Sequence, residues 1–165
     1  MGIAADSTRP EIVLIPPDPI TPGGKEAGCA VYIDRQLSGP YGSSRGLYMS
    51  PPFEVGGNQG NQSSLTPAEL YRQALAALEK HCRASFKGQA FAQIPDEQKD
   101  QLISDLENGS LPLEGSNGRA FFEHLLKNTR EGFFADPAYG GNRDMVGWKM
   151  IGFPGTRCDY RDWVG

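Results

Sequence analysis

The chain has 165 residues, with 16 basic and 20 acidic side chains, a formal net charge of −4 and no long run of either sign. That length fits one domain over residues 1–165 that can bury its own core, and the charge excludes the basic stripe of a nucleic-acid binder. The longest aliphatic run, Ile12-Val13-Leu14-Ile15, is far too short for the ~20 residues of a membrane span.

Proline and aromatic residues divide the chain unevenly. Nine of the 13 prolines fall in residues 1–67, whereas nine of the sixteen aromatics lie between Phe121 and Trp163. The first third therefore reads as a draped arm and the last third as a packing or docking end.

Residues 1–22 end in Pro16-Pro17-Asp18-Pro19-Ile20-Thr21-Pro22, which fixes φ repeatedly, removes donors and predicts an extended arm on the surface. A first helix is expected from Gly24 to about Leu37, with Ala30, Val31 and Leu37 facing inward and Gly39-Pro40 as the stop. Residues 38–65 are rich in Gly, Ser, Pro, Asn and Gln but carry Tyr41, Leu47, Tyr48, Met49 and Phe53. A disordered linker would lack such apolar anchors, so an ordered loop is expected.

Thr66-Pro67-Ala68-Glu69 combines a capping threonine, a proline at the first helical position and a glutamate that completes a capping box. The helix it opens should run to about Ser85, with Leu70, Ala74, Ala77, Leu78 and His81 on one face. Another is expected at Asp96–Asn108, burying Leu102, Ile103 and Leu106 before Gly109. A fourth begins near Asn117 and carries Phe121, Phe122, Leu125, Leu126 and Thr129 to about Glu131, with Asp136-Pro137 closing the region. A short helical turn is expected at Arg143–Met150, ended by Gly152 and Pro154. The pattern predicts a mainly α domain: a bundle of four to five helices with long ordered loops, and no strand.

Little in the chain supports independent chemistry. Gly140-Gly141-Asn142-Arg143-Asp144 invites an anion-cradling reading, the basis for a free-standing small ligand-binding protein or enzyme. It lacks the full dinucleotide fingerprint and a leading strand, and a turn before a short helix is the plainer expectation. The carboxylates of Glu123, Asp136, Asp144, Asp159 and Asp162 are not paired by spacing, and His124 diverges from its neighbour Glu123 on a helix. His81 sits on an apolar face, as a hydrogen-bonded core histidine does. Cys29, Cys82 and Cys158 have neither zinc-site nor redox-motif spacing. No catalytic, metal-binding or cofactor-binding residue is assigned.

The last third is different. Phe133, Phe134, Tyr139, Met145, Trp148, Met150, Phe153, Tyr160 and Trp163 alternate with Arg130, Arg143, Lys149, Arg157 and Arg161, and Asn142 lies among them. Aromatics, Met and Arg are the types enriched at protein interfaces. With so many glycines and prolines between them, the rings are expected to form a docking surface, the alternative being an aromatic core under a loop. Residues 133–163 are expected to carry the main contact, with Trp148 and Arg143 as anchors.

The stretch Asn128-Thr129-Arg130-Glu131-Gly132-Phe133-Phe134-Ala135-Asp136-Pro137, followed by Tyr139-Gly140-Gly141-Asn142-Arg143-Asp144-Met145-Val146-Gly147-Trp148-Lys149-Met150-Ile151-Gly152-Phe153-Pro154-Gly155, resembles the gluconate 2-dehydrogenase subunit 3 family. Ile33-Asp34-Arg35-Gln36-Leu37, Gly39-Pro40-Tyr41 and Asp159-Tyr160-Arg161-Asp162-Trp163 are similar to the same family. The resemblance spans roughly Ile12 to Val164 and implies a small, non-catalytic accessory subunit of a periplasmic dehydrogenase complex. In such complexes a large flavoprotein similar to glucose–methanol–choline oxidoreductases carries FAD and oxidises a sugar or sugar acid. A multihaem cytochrome c subunit passes electrons onward and attaches the complex to the membrane. The resemblance also implies export of the large subunit by way of a twin-arginine leader. This sequence shows no such leader and lacks the short Pro-rich tail usual after Trp163, so a processed or trimmed chain is expected. In an oxidising periplasm, a disulfide between Cys29 and Cys82 would tie the first helix to the second and contribute on the order of 4 kcal/mol. Cys158 would then be left over.

Overall fold

A computed structural model of the chain describes residues 14–46 and 64–153. Among them are five α-helices, α1 (Cys29–Ser38), α2 (Pro67–Ser85), α3 (Asp96–Asn108), α4 (Gly118–Phe134) and α5 (Val146–Met150), with three short 3-10 turns and no strand. The expected mainly α architecture is the observed one. The loop anchors Leu47, Tyr48, Met49 and Phe53, and everything from Pro154 onward, lie outside the described residues.

Helix α4 is the axis of the molecule and touches each of the other four helices. Its start is set by Asn117, whose side chain accepts from the Ala120 N–H at 3.0 Å and so satisfies one of the open donors of the first turn. Phe121 and Leu125 then point into the main apolar cluster with exposures of 0% and 1%. There they meet Leu70, Ala74 and Leu78 of α2 and Leu102, Ile103 and Leu106 of α3. Tyr71 packs edge-on against Phe121 at 5.3 Å between ring centroids. Helix α4 continues to Phe134, three residues beyond the expected end, because Gly132 and Phe133 are also buried.

The capping box of α2 forms as expected. Thr66 Oγ1 accepts from the Glu69 N–H at 3.3 Å, and the Thr66 N–H donates to Glu69 Oε2 at 2.9 Å. The buried face of α2 runs through Leu70, Tyr71, Ala74, Leu78 and Cys82. His81 lies to one side of it, half-buried, with Nε2 3.4 Å from Ser85 Oγ on the next turn. Helix α3 has the expected bounds and buries the three expected residues, and Gly109 ends it at φ 71°.

The first helix departs from expectation. It starts at Cys29, because Gly28 takes a left-handed conformation (φ 78°) that no continuing helix adopts. Residues 24–28 form turns instead, and the inward residues are Cys29 and Ile33, one helical turn apart. Ala30 and Val31 are only half-buried. The expected Cys29–Cys82 bridge does not form. Cys82 is a free thiol in the main cluster, whereas Cys29 belongs to a second, smaller cluster with Ala27 and Phe133.

A buried polar contact ties the post-α1 loop to α2 and α4. Asn128, 1% exposed, donates to the Tyr71 hydroxyl at 3.0 Å and accepts from the Tyr41 hydroxyl at 3.2 Å. Burying an amide is costly unless it is paired, so this contact fixes the register of three segments. Of the arm, residues 16–20 are exposed, and Asp18 Oδ1 accepts from the Ile20 and Thr21 N–H groups at 2.7 and 2.6 Å.

Candidate docking surface

The C-terminal end of α4, the segment 135–145 and helix α5 form a knot in which backbone approaches backbone. A side chain at Gly141 would collide with the carbonyl oxygen of Gly132, and one at Gly147 with that of Phe133. Only glycine permits these approaches. Gly132 in turn lies under the ring of Tyr32, where a Cβ would come within 2.9 Å, so α1 crosses α4 closely here.

Asn142 fastens the knot. It is fully buried at φ 45°. Its Nδ2 donates to the Ala135 carbonyl at 2.9 Å and its Oδ1 accepts from the Gly147 N–H at 2.8 Å, joining the end of α4 to the start of α5. Asp144 and Met145 also have positive φ (57° each). Such conformations cost roughly 1–3 kcal/mol each and persist where the surroundings over-determine them. The Arg143 N–H donates to Ala27 O at 3.0 Å, which closes the knot onto the segment before α1.

These bonds engage two of the N–H groups of the 140–144 loop, those of Gly140 and Arg143, and two just beyond it. The N–H groups of Gly140, Arg143, Met145 and Gly147 go to Pro137 O, Ala27 O, Asn142 O and Asn142 Oδ1. Expected helix at 143–145 is a 3-10 turn, and α5 begins only at Val146, because Asp144 and Met145 are left-handed.

The candidate contact residues separate into two groups. Phe133 and Asn142 are 2% and 0% exposed, so they build the knot and cannot meet a partner. Phe134, Tyr139, Met145, Met150, Ile151 and Phe153 are all between 40% and 60% exposed within a twenty-residue stretch. Arg143 is exposed beside them. Trp148 lies between the groups: half-buried, it donates from Nε1 to the Phe134 carbonyl at 2.8 Å and packs edge-on against Phe153 at 5.2 Å. It props the outer rings in place. Tyr160 and Trp163 lie outside the described residues.

One feature of this region is not legible in the sequence. Tyr32 and Gln36, a turn apart on α1, face Glu131, Phe134, Ala135, Asp136 and Tyr139 across an open groove of about 490 Å³. The Tyr32 hydroxyl is raised above its ordinary pKa by burial, with smaller contributions from Glu131 and Tyr41. The i, i+4 pair Tyr32/Gln36 was the available signal, but it names a surface only once α1 is known to cross α4.

Titratable groups elsewhere are spent structurally. His124 is held below its ordinary pKa by burial first and Lys127 second, against a smaller opposing pull from Glu123, and its Nδ1 is 3.4 Å from the Tyr41 hydroxyl. Asp136 Oδ1 caps the Ala138 N–H at 2.9 Å. Burial pushes the Cys82 thiol up to about 11, so it is neutral and a poor nucleophile at pH 7. Among the described residues no group of three His, Cys, Asp or Glu side chains is placed to hold a metal. No described helix is long and apolar enough to cross a membrane.

Against known proteins, a family description reading gluconate 2-dehydrogenase subunit 3 matches residues 12–155, which include the whole knot and its exposed edge. Neither curated proteins nor solved structures give a match to this chain.

Proposed function

This chain belongs to the gluconate 2-dehydrogenase subunit 3 family, a family of subunits of a dehydrogenase complex, and from that premise we propose that it is the non-catalytic accessory subunit of an FAD-dependent sugar or sugar-acid dehydrogenase. In this reading it clasps a glucose–methanol–choline-type flavoprotein that carries FAD and the substrate site, and a multihaem cytochrome c takes the electrons. The complex works in the periplasm, touches the membrane through the cytochrome, and relies on the small subunit for stability and export of the flavoprotein.

One observation carries the docking part of this reading. Six large apolar side chains between Phe134 and Phe153 stay substantially exposed although the backbone beneath them is locked by buried bonds. Apolar side chains held outward on a rigid frame lose little entropy on binding, which favours association. Assignment of FAD to the partner is supported by the Gly140–Asp144 loop, which lacks the dinucleotide fingerprint and in which the N–H groups of Gly140 and Arg143 are used within the chain. The same facts weigh against a free-standing ligand-binding protein built on that loop.

Co-expression with the flavoprotein subunit tests the reading. Wild-type chain should co-elute with flavin absorbance on a sizing column. Ile151→Asp, at a position 59% exposed, should melt as wild type does but elute alone, colourless. Co-elution of Ile151→Asp with undiminished flavin would contradict the proposal.

A further inference from the structure

The groove between α1 and the end of α4 has a chemistry of its own. Aromatic faces come from Tyr32, Phe134 and Tyr139, carboxylates from Glu131 and Asp136, and among the described residues no cation lines it. Asp136 uses Oδ1 for the Ala138 cap, which leaves its other oxygen for a further donor. The last turn of α4 contains no basic residue, so the helix supplies no cation of its own to offset the negative end of its dipole.

Two cations stand near its rim, and neither fills it. Arg35 turns its Nη1 to the Ala138 carbonyl at 3.2 Å. Lys127 approaches Glu131 only to 3.8 Å, with side chains 66% and 45% exposed, and exposed pairs of this kind contribute little. Glu131 is thus available to a better partner.

Resting on the docking reading above, we propose that this groove receives an arginine side chain of the flavoprotein subunit. A guanidinium is planar and permanently charged, stacks on aromatic faces and offers several donors to carboxylates. That combination matches what lines the groove better than the compact ammonium of lysine does. The groove shares Phe134 and Tyr139 with the exposed apolar edge, so the arginine would enter beside the hydrophobic contact and fix its register.

The test measures the dissociation constant of the complete chain and the flavoprotein subunit at about 50 mM and about 500 mM salt. Charge attraction at a rim is screened over this range. The double variant Glu131→Gln/Asp136→Asn should bind about tenfold more weakly at low salt, with most of the difference gone at high salt. Lys127→Ala, which removes the competing cation, should bind about twofold more tightly at low salt. Unchanged binding of the double variant, or a loss equal at both salts, would overturn the arginine proposal. If Ile151→Asp still abolishes binding in that case, the docking surface stands without it. If Ile151→Asp also binds normally, both fail.

Discussion

The first two turns of α4 and its last turn are held by different physics. Around Phe121 and Leu125, buried apolar side chains from α2 and α3 surround the helix, and the polar groups of the backbone are satisfied by the helices themselves. Around Gly132 and Phe133, few apolar side chains are buried. Close backbone approach at Gly141 and Gly147, and the two bonds of Asn142, hold the chain there instead. The first region hides its rings and gives the domain its stability. The second buries Phe133 but keeps Phe134, Tyr139 and Phe153 outside, and so gives the domain a surface. A core built on apolar area tolerates any well-packed set of side chains, whereas the knot depends on particular residues at particular positions.

That contrast predicts two kinds of mutational damage. Phe121→Ala should have the largest effect, about 3–5 kcal/mol of global stability, because it leaves a cavity where three helices meet. Chemical denaturation should show an earlier midpoint for the whole unfolding transition. Asn142→Ala should cost about 2 kcal/mol by leaving the Gly147 N–H and Ala135 carbonyl without partners. Its damage should concentrate in residues 135–153, read as faster amide exchange there with α2 and α3 still protected. Asn142→Gly loses the same bonds but tolerates the left-handed backbone, so it should be milder than Asn142→Ala by about 1 kcal/mol. Equal damage throughout the chain from Asn142→Ala would erase the distinction between the two regions.

A smaller effect is expected from pH. Burial holds His124 below the ordinary value of 6.5, so the unfolded chain binds the proton more readily than the folded one. The sign follows: this contribution is complete above about pH 6.5 and is lost as pH falls through the lower folded-state value. Wild-type melting temperature should therefore drop more between pH 7.5 and 5.5 than that of His124→Gln, with differential scanning fluorimetry as the readout. A parallel drop in both proteins would show that His124 carries no such linkage.

These differences also explain what could be read from sequence. Helices α2 and α3 were legible because their local signals agree: the Thr66–Glu69 box, the stop at Gly109, and apolar residues at helical spacing. The start of α1 is not legible, because Gly28 breaks the helix through a backbone conformation that apolar periodicity does not report. A Cys29–Cys82 pairing assumed that two helical cysteines face each other, but the two lie in separate clusters. In the C-terminal third, residue types identified an interface-like composition without telling Phe133 from Phe134. Those neighbours differ by a helical step of about 100°, which puts one in the second cluster and the other outside. Asn142 looked like a surface residue because its role depends on contacts with Ala135 and Gly147 through a turn that no period describes.

Hydrogen–deuterium exchange on the chain, free and bound to the flavoprotein subunit, addresses the docking surface most directly. Burial of the exposed rings should slow amide exchange on complex formation across residues 134–153 and the Tyr32–Gln36 face of α1. Exchange in α3, whose contacts lie within the core, should be unchanged. Protection that falls on α2 and α3 while residues 134–153 exchange as in the free chain would contradict the assignment.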